Sequence, residues 1–263
     1  MTPDRYRPPA IIPASAAVHV LALGSMAVEP ARWPLAVGAM VANHAALVLG
    51  GLFPRCRILG ANLTRLSANK KQSRAVAVTF DDGPHPEITP RVLDVLEMTG
   101  ATATFFCVGQ FVERHDSLVR EMAERGHRIE NHTWSHSNSF AFLKPGALAD
   151  QISRTQAIIK EVTGRAPEYF RAPAGIRSPW LDAVLHRSGL RLVSWTRRGF
   201  DAIDKNANRV SRRLTRNLQP GDILLLHDGG KGDADQRSGL LCDVLPRLLT
   251  EIERKGLHAT ALP

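Results

Sequence analysis

Thr79-Phe80-Asp81-Asp82-Gly83-Pro84 closes an apolar run, Ala75 to Phe80, with two adjacent carboxylates and a Gly-Pro turn. Successive strand residues face opposite ways, so neighbouring aspartates at a strand's end serve separate tasks. One suits a metal and the other a base. A solvated Asp-Asp-Gly-Pro turn is the competing reading, because all three residue types favour turns. The rest of the chain decides between them.

From Arg74 onward, short apolar runs alternate with helix-period stretches. Strand-like runs fall at 75–80, 101–108, 127–130, 168–171, 190–195, 221–227 and 257–261. Helical stretches lie between them at 88–98, 112–125, 147–163, 179–188, 207–218 and 239–255, with Gly100, Gly126, Gly164, Gly189 and Gly256 near helix ends. This pattern predicts an α/β fold, a distorted (β/α) TIM-like barrel of about seven strands, over 74–263. Functional groups of such folds gather at the C-terminal ends of the strands. Asp81-Asp82 ends the first strand, and His227 ends the run Ile223–Leu226.

Residues 1–73 read differently. Two charge-free apolar stretches, Ala10–Val28 and Trp33–Phe53, are 19 and 21 residues long, enough for each to cross a bilayer as a helix. Their Gly and Ala suit close helix packing, so a hydrophobic helical hairpin turning at Glu29–Arg32 is expected, followed by a basic linker. A core or interfacial helix pair is one alternative; a signal peptide cleaved near Ser25-Met26-Ala27 is another and leaves the second stretch unexplained. Arg5 and Arg7 precede the hairpin, Arg55, Arg57, Arg65, Lys70, Lys71 and Arg74 follow it, and the connector holds only Arg32. That bias predicts a bacterial-type inner-membrane protein with its catalytic domain in the cytoplasm.

The net charge of +9 is concentrated in the same region. Residues 1–74 hold nine Lys/Arg against two Asp/Glu, so the remainder, with 25 of the 34 basic and 23 of the 25 acidic residues, is nearly neutral. Nucleic-acid binding loses its support. Cys56, Cys107 and Cys242 are scattered and odd in number, which argues against a disulfide scaffold or a cysteine zinc site.

The partner of the aspartate pair is His132-Thr133-Trp134-Ser135-His136, after the run 126–130. Histidines at i and i+4 share one face of a helical turn, about 6 Å apart, and suit one metal. With a strand-end carboxylate they supply three ligands of an open, zinc-type site.

These two stretches resemble the first two motifs of the polysaccharide deacetylases, carbohydrate esterase family four with its NodB-homology domain. Arg171-Ala172-Pro173-Ala174-Gly175 resembles the third motif, Trp195 to Asp201 takes the place of the fourth, and Leu225-Leu226-His227 matches the fifth. The resemblance spans about residues 74–262. It implies that Asp82, His132 and His136 hold a divalent metal, most often Zn2+, with Co2+, Ni2+ or Mn2+ also suited. It further implies Asp81 as general base oriented by Arg171, and His227 as general acid oriented by Asp201. The Ala174 N–H would face the oxyanion, and Leu225 and Trp195 would line the acetyl pocket. Two departures bear on the substrate: Ala174 stands where the family has an aromatic, and Arg198 and Ala202 replace an Asp and a Trp of the fourth motif.

The expected activity is hydrolysis of the acetamide of an N-acetylated amino sugar, in a polysaccharide, an oligosaccharide or a lipid-linked sugar. A cytoplasmic domain cannot reach cell-wall polymers, which favours a lipid-linked or cytoplasmic intermediate. A deformylase of a lipid-linked formamido sugar and a silent sugar-binding domain are the rival expectations.

Overall fold

A computed structural model describes residues 6–67, 74–230 and 234–263. Arg5, Lys70 and Lys71 of the basic flanks lie outside the described residues, as does residue 73 at the expected domain boundary.

Helices α1 (Ile11–Val28) and α2 (Trp33–Leu52) form a hairpin through a 3-10 turn at Pro30–Arg32, where Arg32 pairs with Glu29 at 2.8 Å. Both are long and apolar enough to cross a membrane. Their polar residues are spent internally. Asn43 Nδ2 donates to Ser15 Oγ across the pair at 2.8 Å, and the rings of His19 and His44 meet at 5.1 Å. The apolar side chains face outward instead, with Leu21 71 % and Leu35 77 % exposed. A helix pair buried in a protein core would look the opposite.

The chain then lays down β1 (Ala75–Asp81), α3 (Ile88–Met98), β2 (Thr104–Cys107), α4 (Gly109–Arg114), α5 (Asp116–Glu124) and β3 (Arg128–Asn131). It continues with α6 (Pro145–Thr163), β4 (Tyr169–Phe170), α7 (Leu181–Arg187), β5 (Arg191–Leu192) and β6 (Arg197–Arg198). It closes with α8 (Ala207–Thr215), β7 (Ile223–His227), α9 (Ala234–Arg254) and β8 (His258–Thr260). All the strand pairs are parallel, in the order β5-β4-β3-β2-β1-β7-β6, with β8 added beside β1.

The sheet is curled, so both faces are buried. Val76, Val78, Phe80, Leu224 and Leu226 point outward to the helices, whereas Ala75, Ala77, Phe106, Ile223 and Leu225 fill the barrel interior with Trp195. Two-faced burial explains why the strands read as continuous apolar runs without alternation. The expected run 190–195 is broken: β5 and β6 are separate two-residue strands, because Ser194 N–H turns to Leu63 C=O while Thr196 N–H already bonds Ile223 C=O of β7. The single helix expected over 112–125 is two, divided at His115 (φ −129°).

Between β5 and β6 no ladder forms among the described residues, and the segment after the hairpin occupies that seam. Leu63 N–H donates to Leu192 C=O and Leu63 C=O accepts from Ser194 N–H, each at 2.9 Å. Leu66 N–H reaches Gly221 C=O at 2.9 Å, and Arg65 pairs with Asp222 at 2.8 Å. Above the seam, the end of α2 is capped by the barrel. Arg177 Nη2 donates to the carbonyls of Gly50 (3.1 Å) and Cys56 (2.7 Å), and its backbone N–H donates to Gly51 C=O at 3.1 Å. A helix's last carbonyls lack intrahelical partners, and a guanidinium there also meets the negative end of the dipole.

Gly51 permits this approach, because a Cβ there would collide with the Arg177 carbonyl. Gly24, also within the hairpin, has nothing near its would-be Cβ. Gly51→Ala should lower stability by about 1–3 kcal/mol through overpacking. Gly24→Ala should be neutral or slightly stabilising; thermal unfolding in detergent measures both.

Candidate active site

The C-terminal ends of β1, β3, β4 and β7 converge on one cleft, and each delivers a polar group to it. On β1, Phe80 faces the helices and Asp81 the interior. Asp82 then adopts φ +72°, which turns the chain and sends the second carboxylate on a different course from the first.

Backbones approach closely here. A Cβ on Gly83 would strike the Asp228 carboxylate, and one on Gly229 would strike the Asp82 carbonyl. The glycines of Asp-Asp-Gly and His-Asp-Gly are therefore demanded by each other's loop. Asp228 itself is fully buried, accepts from Thr89 Oγ1 at 2.6 Å, and has its carboxyl pushed up to about 7 by burial, with Asp82 and Asp81 adding to the rise. The sequence analysis did not single out Asp228; its position directly after the strand-end His227 was the available signal.

Arg171, fully buried just after β4, is the hub. Its Nη1 donates to Asp81 Oδ1 at 2.6 Å and to Thr79 Oγ1 at 2.8 Å, and its Nε and Nη2 reach the carbonyls of Val193 and Ser194 at 3.4 Å. The guanidinium lies 4.1 Å from the centre of the Phe106 ring. Its own carbonyl lies 2.8 Å from His132 Nδ1. That bond places the Nδ1 proton on the carbonyl side and leaves the Nε2 lone pair facing Asp82.

The expectation of a helical turn across His132 and His136 is not met: the segment is a loop with Thr133 at φ +69° and His136 at φ +47°. Local side-chain bonds impose that shape. Asn131 Oδ1 accepts from Thr133 N–H, and Thr133 Oγ1 accepts from His136 N–H, both at 3.0 Å, in competition with helical bonding. The two imidazoles still converge, with ring centres 4.9 Å apart. Asp82 Oδ1 lies 3.3 Å from His132 Nε2 and 3.1 Å from His136 Nε2. All three ligand atoms fall within 4.8 Å of one another. This donor set fits a divalent cation: one carboxylate oxygen, two imidazole nitrogens, and a tautomer already fixed for one of them. Burial would raise the Asp82 pKa, but the two imidazoles reverse this and hold the carboxyl well below its usual range.

On the far wall, His227 Nδ1 meets Asp201 Oδ1 at 3.0 Å, and its backbone N–H donates to Asp201 Oδ2 at 2.8 Å. One carboxylate thus fixes both the backbone and the ring. Burial works to lower the His227 pKa, but Asp201, then Asp81 and Asp82, outweigh it and hold the imidazole above its ordinary value. Leu225, two residues earlier on β7, shares the interior face with His227 and packs in one cluster with Trp195. Both are buried core residues; the tip of the Trp195 ring also abuts Gly175.

Ala174 occupies a left-handed turn (φ +53°) whose own bonds run from Gly175 N–H to Ala172 C=O and from Ile176 N–H to Pro173 C=O, leaving the Ala174 N–H out. Pro54, from the segment that follows α2, packs on Gly175 next to it. Arg198 lies 5.7 Å from the centre of the Trp195 ring and 5.1 Å from that of Phe200. Asp81, Asp82, His132, His136, Arg171, Ala174, Trp195, Asp201, Leu225 and His227 are thus in or around the cleft. The placing of residues 50–56 at its rim had no sequence signal.

Residues 68–193 match the family model described as polysaccharide deacetylase. The chain is 39 % identical over 162 residues to a chitooligosaccharide deacetylase of Azorhizobium caulinodans, covering 59 % of this chain and 74 % of that protein. It is 35 % identical over 180 residues to a peptidoglycan-N-acetylglucosamine deacetylase of Bacillus cereus, covering 66 % and 82 % respectively. The crystal structure of a peptidoglycan N-acetylglucosamine deacetylase in complex with 4-naphthalen-1-yl-N-oxidanyl-benzamide aligns with a TM-score of 0.70 at 30 % identity, covering 77 % of this chain and 91 % of that one.

In the metal-free protein the His227 resonance should titrate above the ordinary histidine value of about 6.5. Asp201→Asn should bring it down, since burial then acts with less opposition. A raised folded-state pKa stabilises the fold fully below about pH 6.5, and that contribution fades as pH rises through the folded value. NMR titration and denaturant melts across pH check both.

Proposed function

The chain belongs to the polysaccharide deacetylase family, and we propose that it is a metal-dependent N-deacetylase that hydrolyses the acetamide of an N-acetylated amino sugar. The observation that carries this reading is the pairing of two restrained groups across one donor set: Asp81 clamped by Arg171, and His227 clamped by Asp201, on either side of Asp82, His132 and His136. Relatives named as chitooligosaccharide and peptidoglycan-N-acetylglucosamine deacetylases support the substrate class.

Asp82, His132 and His136 would hold the divalent ion, most suitably Zn2+, with Co2+, Ni2+ or Mn2+ as alternatives. When bound, such an ion acidifies a water and polarises the amide carbonyl. Asp81 takes a proton from the attacking water as its oxygen adds to the carbonyl carbon. Arg171 keeps that carboxylate aimed through its 2.6 Å hydrogen bond to Asp81 Oδ1. The Ala174 N–H donates to the oxyanion, a contribution of about 3 kcal/mol for one such donor. His227 gives its Nε2 proton to the nitrogen as the C–N bond breaks, releasing the amine and acetate. Its elevated pKa keeps that proton available near neutrality. Leu225 and Trp195 bound the space for the acetyl methyl.

The hairpin of residues 1–73 anchors the 74–263 domain in a bacterial-type inner membrane, with the domain in the cytoplasm. The outward-facing apolar surfaces of α1 and α2 support anchoring, and the basic flanks support the orientation. A lipid-linked or cytoplasmic amino sugar is then the accessible substrate. A formamido sugar is the second reading, since Ala174, Arg198 and Ala202 depart from the family pattern where the substrate is gripped.

Asp81→Asn should cut kcat by about 10²–10⁴-fold while leaving the bound metal in place. His136→Ala and Asp82→Ala should lose metal and activity together, as measured by elemental analysis alongside turnover. Acetate rather than formate should be released from N-acetylated sugars. A reporter fused to the C-terminus should be active only as a cytoplasmic fusion; activity on the other side reverses the orientation.

A further inference from the structure

After Phe53, six large apolar side chains are exposed among the described residues, and four of them cluster by topology. Phe142 (86 % exposed) follows β3, Trp180 (53 %) follows β4, and Phe200 (41 %) and Ile203 (78 %) follow β6. These three loops leave C-terminal strand ends, so they ring the mouth of the cleft. Scattered exposed apolar residues need no explanation; a set confined to one face does.

The same face carries positive charge. From β6 into α8, Arg198, Lys205, Arg209 and Arg213 stand against Asp201 and Asp204, whereas Arg197 is paired with Asp222 before β7. Asp201 is committed to His227, and Asp204 to Arg209 and Arg213, each at 2.7 Å. Phe200 is held outward at φ +61°, a costly backbone for a bulky residue, with the guanidiniums of Arg198 and Arg213 at 5.1 and 5.6 Å from its ring. A strained aromatic between two arginines, beside an exposed isoleucine, is a built amphipathic patch.

The membrane helices end at this rim. Arg177, three residues before Trp180, caps α2, and Pro54 packs on Gly175. Arg55 extends the basic rim and reaches Thr196 C=O at 3.5 Å. At the foot of α1 a cavity of about 1130 Å³ repeats the chemistry, lined by Arg7, Arg57 and Arg191 with Ile11, Ile58 and Leu190.

We propose that the catalytic face is a bilayer-docking surface. Trp180, Phe200 and Ile203 sit at the boundary of headgroups and acyl chains, and Arg198, Lys205, Arg209 and Arg213 meet the phosphates of anionic phospholipid. The cleft then opens along the membrane plane. Basic, apolar surfaces bind such interfaces by combining buried apolar area with attraction to anionic lipid. This inference rests on the hairpin's being inserted in the membrane, and it restricts the proposed deacetylase to amino sugars presented at the bilayer surface. Continuity with α2 and the excess of arginine favour a lipid surface over a protein partner.

The test reconstitutes the full chain in nanodiscs of phosphatidylcholine and phosphatidylglycerol brominated near the headgroup, and reads tryptophan quenching. Trp180→Phe should remove a quenchable component, and so should Trp33→Phe within the hairpin. Replacing Arg209 and Arg213 by Gln, or omitting phosphatidylglycerol, should weaken Trp180 quenching, by roughly fivefold in interfacial affinity per arginine lost. Turnover of a soluble chitooligosaccharide should be unchanged by Ile203→Ser. Quenching that responds to Trp33→Phe but not to Trp180→Phe overturns the docking while leaving the anchor intact. Quenching that responds to neither overturns the membrane reading itself. The quenching readouts do not depend on deacetylation, so failure of the enzymatic proposal would be seen separately, as absence of acetate release.

Discussion

Arg171 is the point on which fold and site both depend. Its guanidinium is fully buried and joins Asp81 and Thr79 of β1 to the carbonyls of Val193 and Ser194, while its own carbonyl orients His132. A charge in that setting is tolerable only because Asp81 and the carbonyls replace its water. Removing one partner of a buried pair costs about 3–5 kcal/mol, as the other is left uncompensated. The proposed base and one metal ligand are thus held by the same residue that ties together the ends of three strands, and stability and chemistry cannot be varied there independently.

Close backbone approach is the second constraint. Gly83 and Gly229 let the β1 and β7 loops touch, which brings the aspartate pair within range of His227 and buries Asp228 beneath them. Gly51 does the same for the N-terminal hairpin against the loop that carries Ala174. Where the family has an aromatic, this chain has a small residue in a left-handed turn, and Pro54 from the hairpin's end fills space beside it. The N-terminal segment is therefore part of the cleft's rim and of the barrel seam.

Much of the site was legible because its residues end apolar runs. Asp81 after Phe80 and His227 after Leu226 mark strand ends in a chain whose helices alternate with strands. The left-handed shape of the His132–His136 loop was not legible, since Asn131 and Thr133 override helical bonding only once Asn131 is fixed by donating to Ile152 C=O. β6 was hidden for a related reason: two arginines at 197–198 carry no strand signal, and pairing with Leu224 and Leu225 alone makes them a strand.

The sequence by itself determined the order of strands and helices, the apolar character of the hairpin, and the identity of the groups in the cleft, because periodicity and residue chemistry are local properties. Tertiary structure decided which face of the barrel the hairpin leaves from, that residues 63–66 fill the seam, and that exposed aromatics from three distant loops share one rim. The first two relations join residues more than a hundred positions apart, and curling of the parallel sheet is what brings such distant stretches together.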